Sequence, residues 1–193
     1  MTRIGITGGL GSGKSVVAKL LQIYGVPVYI ADDRSKQLTN SSPAIREGLI
    51  GLFGETLYPE GQLDKKRLAG FIFNDPKALQ AVNAIIHPVV NQDFHAWTEA
   101  QQTPFCAIES AILFESGFDK SVDLSLLVYA PLELRIQRGL ARDAVSREAL
   151  LARIEKQMPD EEKKRRADYT IYNDNRQALI PQVERFLEAI SPK

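Results

Sequence analysis

Short apolar runs alternate with longer stretches of helical periodicity along most of the chain, which is the pattern of an α/β protein with a parallel sheet. Arg3-Ile4-Gly5-Ile6-Thr7 reads as a strand, and the stretch through Val17, Leu20, Leu21 and Tyr24 as the helix after it. Val26 to Ile30 is a second strand, running into a polar helix through Leu38 that the acidic pair Asp32-Asp33 would cap. Further strands are expected at 104–108, 124–129 and 168–172, the last followed by a helix from about Arg176 that would bury Ile180, Val183, Leu187 and Ile190. After the fourth strand, Pro131 would open a helix with an apolar row of Leu132, Ile136 and Leu140 beside a cationic row of Arg135, Arg138 and Arg142. Two more helices, 146–158 and one opened by Pro159-Asp160-Glu161-Glu162, complete that region.

Between Asn40 and Thr103 no strand is expected. Helices are expected at 43–53, 64–73, 76–86 and about 89–101, with Leu79, Val82 and Ile86 forming one apolar face. Proline disfavours helical geometry in the residue before it, so His87-Pro88 predicts a joint between the last two helices, fixed by His87. A crossover between parallel strands needs only about a dozen residues, so this stretch reads as a helical insertion beyond the sheet.

The chemistry concentrates after the first strand. Gly8-Gly9-Leu10-Gly11-Ser12-Gly13-Lys14-Ser15 satisfies the phosphate-loop pattern G-x-x-x-x-G-K-[ST] in strand-loop-helix context. Glycines let the backbone wrap its N–H groups around phosphate oxygens, and a helix N-terminus adds a favourable dipole. The expected nucleotide cradle is Gly11, Ser12, Gly13, Lys14, Ser15 and Val16, with Lys14 on the β- and γ-phosphates and the Ser15 hydroxyl on Mg²⁺. Ligands gather at the C-terminal ends of parallel strands, where Asp32, Glu109 and Asn173 also fall. Asp32 there is placed to take a proton from an attacking hydroxyl, and Glu109 to hold a Mg²⁺-bound water. Asn173 belongs to a turn suited to contacting a base. Glu115 is either a cap or a site residue. Arg138 and Arg142 are candidates to clamp a triphosphate from a mobile lid.

Composition narrows the class. The 24 basic and 24 acidic residues cancel, which argues against a protein that coats nucleic acid or an anionic membrane. The cationic surplus lies in 1–70 and 135–193 and the deficit in 71–134, so positive charge accompanies the phosphate loop and the arginine-rich helix. A single cysteine, Cys106, in an apolar run reads as a buried hydrophobe, and two histidines make a multi-histidine metal site improbable. No apolar run is long enough to span a bilayer and no signal-peptide pattern opens the sequence, so a cytoplasmic protein is expected. Neither an Asn-Lys-x-Asp nor an Asp-x-x-Gly string occurs, which removes the GTPases.

The ordered set formed by the phosphate loop, Gly25-Val26-Pro27-Val28 leading to Ala31-Asp32, Ile86-His87-Pro88, Leu113-Phe114-Glu115, Ala130-Pro131 with Arg138 and Arg142, Arg153 to Gln157, Ala167-Asp168 and Asn173 resembles the dephospho-coenzyme A kinases. The resemblance covers essentially the whole chain. It implies transfer of the ATP γ-phosphate to the ribose 3′-hydroxyl of dephospho-CoA, giving CoA and ADP, with no nucleic-acid or membrane partner and a monomer or weak homo-oligomer. It also implies a P-loop fold with a five-stranded parallel sheet flanked by helices. The nucleotide core would comprise 1–39, 103–134 and 167–193, the CoA-binding insertion 40–102 and the lid 135–166. Asp32 matches the second acid of the family's Asp-Ala-Asp motif, the proposed catalytic base, while Ile30 replaces the first. His87 and Glu115 match substrate-binding positions, and Arg135 stands where the family usually has glutamine. Another small P-loop kinase, or an ATP-binding regulatory module without turnover, remains the alternative on the residues alone.

Overall fold

The computed structural model describes residues 1–73, 75–142 and 145–191; Asn74, Asp143, Ala144, Pro192 and Lys193 lie outside the described residues. In chain order the elements are β1 (Thr2–Thr7), α1 (Lys14–Ile23), β2 (Val28–Ile30), α2 (Ala31–Ser41), α3 (Pro43–Phe53), α4 (Lys65–Ile72), α5 (Pro76–Glu99), β3 (Phe105–Glu109), β4 (Leu124–Tyr129), α6 (Leu132–Arg142), α7 (Arg147–Glu155), α8 (Asp160–Arg166), β5 (Tyr169–Tyr172) and α9 (Leu179–Ile190). The five strands form one parallel sheet in the order β2-β3-β1-β4-β5, flanked by helices. The chain divides into two compact units, residues 1–29 with 101–193, and residues 30–100.

In the first unit β1 is central, paired with β3 on one side and β4 on the other. Strands covered on both faces lose the usual alternation and become continuously apolar, as Ile108 on β3 and Leu126-Leu127-Val128 on β4 show. Ile4, Ile6, Ala107, Leu126, Val128 and Ile171 pack against Val17, Ala18 and Leu21 of α1 and Val183 and Phe186 of α9. Cys106 is fully buried in β3, as its apolar setting implied.

Several helix faces differ from the sequence expectation. Tyr24 is exposed at the end of α1, where its hydroxyl donates to Glu184 at 2.7 Å instead of entering the core. The last helix begins at Leu179, later than Arg176, because the Asp174 carboxylate accepts the N–H groups of Arg176 and Gln177 and holds them in a turn. That start places Gln182, Val183 and Phe186 on the buried face and leaves Ile180 52% exposed. On α6 Pro131 precedes the helix and its carbonyl accepts the first bond, from Arg135 N–H at 3.0 Å, so it is the cap and not the first helical residue. The buried face of α6 is Arg135, Ile136 and Gly139, whereas Leu132 is 46% exposed and Leu140 is also exposed.

After Ile30, which ends β2, the regular elements among the described residues of the second unit are all helices. Side-chain oxygens of Ser42, Asp64 and Asp75 accept the orphan N–H groups of α3, α4 and α5, and Pro43 and Pro76 stand in the first turns. The expected joint at His87-Pro88 is absent: α5 is one helix of 24 residues with Pro88 inside it. Pro88 and Ala84, whose carbonyl loses its partner, are both exposed, so water can satisfy that carbonyl. On the opposite face Val82, Ile86, Val90, Phe94 and Thr98 form an unbroken buried row, and its packing against α2, α3 and α4 outweighs the lost bond. Leu79, placed on that face by the sequence pattern, is exposed. Arg34 on α2 grips Asp93 on α5 with two guanidinium nitrogens, at 2.7 and 3.0 Å.

Candidate active site

The turn between β1 and α1 is closed by Ser12 N–H donating to the Gly9 carbonyl at 3.0 Å. Gly13 caps α1 in the left-handed region at φ 90°, a conformation that costs a side-chain-bearing residue about 1–3 kcal/mol. A Cβ at Gly13 would also overlap the amide of Asn173. The Val16 and Val17 N–H groups both return to the Gly13 carbonyl, at 3.0 and 3.3 Å. Those of Lys14 and Ser15 open the helix and have no carbonyl four residues back within it, which makes them anion donors at the positive end of the helix dipole. The Ser15 side chain is exposed at this end. Thr7 Oγ1 and Ser12 Oγ are buried beneath the loop with no hydrogen-bond partner among the described residues.

Asn173, the residue after β5, braces the loop from the far side of β4. Its Nδ2 donates to the Ser12 carbonyl at 2.8 Å, and its Oδ1 accepts from Arg138 Nη2 at 3.2 Å. Arg138 also donates to Ser12 O at 3.5 Å and to Asn175 Oδ1 at 2.8 Å. The structure thus brings Asn173 and Arg138 to the phosphate loop. Arg142 is exposed at the last position of α6.

Three buried or half-buried cations around the loop each face a carboxylate, as a low-dielectric setting requires. Lys14 Nζ lies 3.6 Å from Glu109 at the end of β3. Lys163, fully buried on α8, is 3.1 Å from Glu115 and donates to the Ala111 carbonyl at 2.6 Å. Arg135 pairs with Asp160 and donates through Nε to the Leu10 carbonyl at 2.9 Å. Burial lowers the proton affinity of both Lys163 and Arg135; at Lys163 the Glu115 carboxylate opposes this, while the nearby Lys14 and Arg135 charges add to it. Glu115 also accepts the Met158 N–H at 2.8 Å, so in this structure it ties the segment after β3 to α8.

The model of the dephospho-CoA kinase family matches residues 2–178. The chain belongs to that family. It is 48% identical over 182 residues to the dephospho-CoA kinase of Bacteroides fragilis, covering 94% of this chain and 89% of that one. It is 45% identical over 194 residues to that of Porphyromonas gingivalis, covering 100% and 96%. A Thermus thermophilus protein of known structure superposes with a TM-score of 0.83 at 39% identity, covering 98% of this chain and 95% of the other.

In the second unit of this dephospho-CoA kinase family member, Asp32 and Asp33 occupy the first turn of α2 and are exposed. Neither supplies the cap, since the residue before the helix is Ile30 and no side chain caps it. Asp33 pairs with Lys36 at 3.0 Å. His87 is half-buried within α5, and burial holds its imidazole below the usual 6.5. Among the described residues no helix is long and apolar enough to cross a membrane, and no group of three or more His, Cys, Asp or Glu is arranged to hold a metal ion.

Sequence reasoning missed Arg135, Gln157, Asp160 and Lys163. A signal for Arg135 was present: Gly139 lies one turn further along, and its missing side chain lets Leu150 of α7 approach so closely that a Cβ there would fall 2.7 Å from the leucine. A small residue on a helix marks its close-packed face, and Arg135 shares that face.

Proposed function

We propose that this member of the dephospho-CoA kinase family transfers the γ-phosphoryl group of ATP to the ribose 3′-hydroxyl of dephospho-CoA, giving CoA and ADP, the last step of CoA synthesis. The observation that carries the reading is the phosphate loop with its lysine held by Glu109 and its Ser12 carbonyl held by Asn173 and Arg138, in a chain matched by the family model almost end to end.

In this reading the N–H groups of Gly11, Ser12, Gly13, Lys14, Ser15 and Val16 surround the phosphates, and Asn173 helps fix the nucleotide. Ser12 and Val16 contribute least, because their N–H groups already close on the Gly9 and Gly13 carbonyls. The 3′-oxygen attacks the γ-phosphorus in line, the bond from that phosphorus to the β,γ-bridging oxygen breaks, and the 3′-OH proton passes to the Asp32 carboxylate. Lys14 neutralises charge on the transferring group, and Arg138 and Arg142 turn toward it from a lid formed by 135–166. Residues 40–102 bind the acceptor, with His87 and Glu115 among its contacts. A hydroxyl at a helix start and a buried carboxylate close to the lysine fit a hard, oxygen-loving cation: Ser15 would hold Mg²⁺ directly and Glu109 through water. Held there, the ion would supply positive charge that offsets the charge on the transferring phosphoryl group.

The test is acceptor-dependent ADP release with Mg²⁺ and ATP. Dephospho-CoA should support turnover, with the new phosphate at the 3′ position by ³¹P NMR. ADP release with AMP or CMP but not dephospho-CoA would contradict the acceptor assignment.

A further inference from the structure

Leu10, at the tip of the phosphate loop, has both of its backbone polar groups held by side chains from the helical region that follows β4. Its N–H donates to Gln157 Oε1 at 2.9 Å, and its carbonyl accepts from Arg135 Nε at 2.9 Å. Arg135 is 3% exposed, and its charge is met by Asp160 in the first turn of α8. The loop is shaped to this arginine on either side of Leu10. A Cβ at Gly9 would overlap the guanidinium, and one at Gly11 would overlap the Arg135 backbone carbonyl. An arginine buried at an ion pair alone would not need two glycines of the neighbouring loop pressed against it.

We infer that Arg135, with Gln157, is a positioning residue for the nucleotide: together they fix Leu10 and thereby the curvature of the loop whose N–H groups bind phosphate. The inference rests on the phosphate-loop reading above and extends it to two side chains that hold the loop's backbone. Holding the loop before nucleotide arrives means its donors need no reorganisation on binding, and a displacement of about 1 Å in such a cradle is enough to cost about two orders of magnitude in rate. Because Arg135 and Gln157 belong to the stretch expected to form the lid, the loop's shape also depends on how α6 and the α7–α8 connection are packed.

The test is ADP titration by calorimetry, with thermal midpoints and the KM for each substrate, on three variants. Gln157→Ala removes the acceptor for Leu10 N–H. Arg135→Lys keeps a cation for Asp160 but loses the Nε contact. The double variant Arg135→Met/Asp160→Leu replaces the buried pair by apolar groups, which commonly preserves stability. Each should weaken ADP binding about tenfold, as expected for losing a charge-assisted or well-aligned buried hydrogen bond, and should raise the KM for ATP while leaving the KM for dephospho-CoA unchanged. ADP affinities within about twofold of the parent in folded Gln157→Ala and in the double variant would overturn the inference. If an Arg135 variant does not fold, Gln157→Ala, at a half-buried position, decides the question alone. The titration needs no acceptor, so normal ADP binding without dephospho-CoA turnover would refute the proposed function and leave this inference standing.

Discussion

Lys14 Nζ stands 3.6 Å from the Glu109 carboxylate, so the last residue of β3 is paired with the phosphate-loop lysine. The pair keeps two largely buried charges compensated.

Lys14→Met should lower kcat at least about a hundredfold, because its charge acts chiefly in the transition state. It should also lower the thermal midpoint by stranding Glu109. Adding Glu109→Gln should recover the midpoint without recovering kcat. Recovery of both would mean that Lys14 serves only the fold.

Gly13→Ala places a side chain in the left-handed region and against Asn173. Calorimetry should find ADP binding lost or reduced more than about tenfold, from strain of about 1–3 kcal/mol in the binding-competent loop. Asn173→Ala removes the amide that holds the Ser12 carbonyl and frees Arg138 from one partner. It should weaken ADP binding less than Gly13→Ala does, by about 1 kcal/mol.

Burial favours neutral His87, so its pKa in the folded protein lies below the unfolded value of 6.5. As pH falls through 6.5 the unfolded chain takes up the proton first, and stability declines until the folded imidazole titrates as well. His87→Phe should flatten this part of the stability curve in denaturant titrations below pH 6.5. An unchanged slope would show that other groups carry the acid sensitivity.

Burial raises the Cys106 thiol to about 11, and the residue is fully enclosed in β3. Maleimide labelling at pH 7 should therefore be negligible in the native protein and complete in denaturant, read by mass spectrometry.

The strands and the phosphate loop were legible because local pattern determines them: a continuously apolar run can be satisfied only inside a covered sheet, and the glycine spacing has one backbone solution. Pro88 misled because proline reports a local preference, while the helix continues on the strength of a buried row on its other face. Ile180 and Leu79 fell on the wrong side of their helices because periodicity counts apolar positions without knowing where each helix starts or what packs on it. Arg135 was the largest omission. A cationic side chain at helical spacing reads as solvated, and only the tertiary neighbours Asp160, Leu10, Gly9 and Gly11 turn it into a buried support. The place of Asp32 directly after β2 follows from the sequence pattern, whereas its exposed position in the first turn of α2, where it does not cap the helix, does not.

That proton transfer gives the most direct test of the central claim. The measurement is the pH profile of dephospho-CoA-dependent ADP release for the parent enzyme and Asp32→Asn, with ADP binding checked by calorimetry. The expected result is normal nucleotide affinity in the variant with kcat reduced by about two orders of magnitude or more across the profile. Near-parental turnover of Asp32→Asn at every pH, or no dephospho-CoA-dependent ADP from the parent enzyme, would contradict the account.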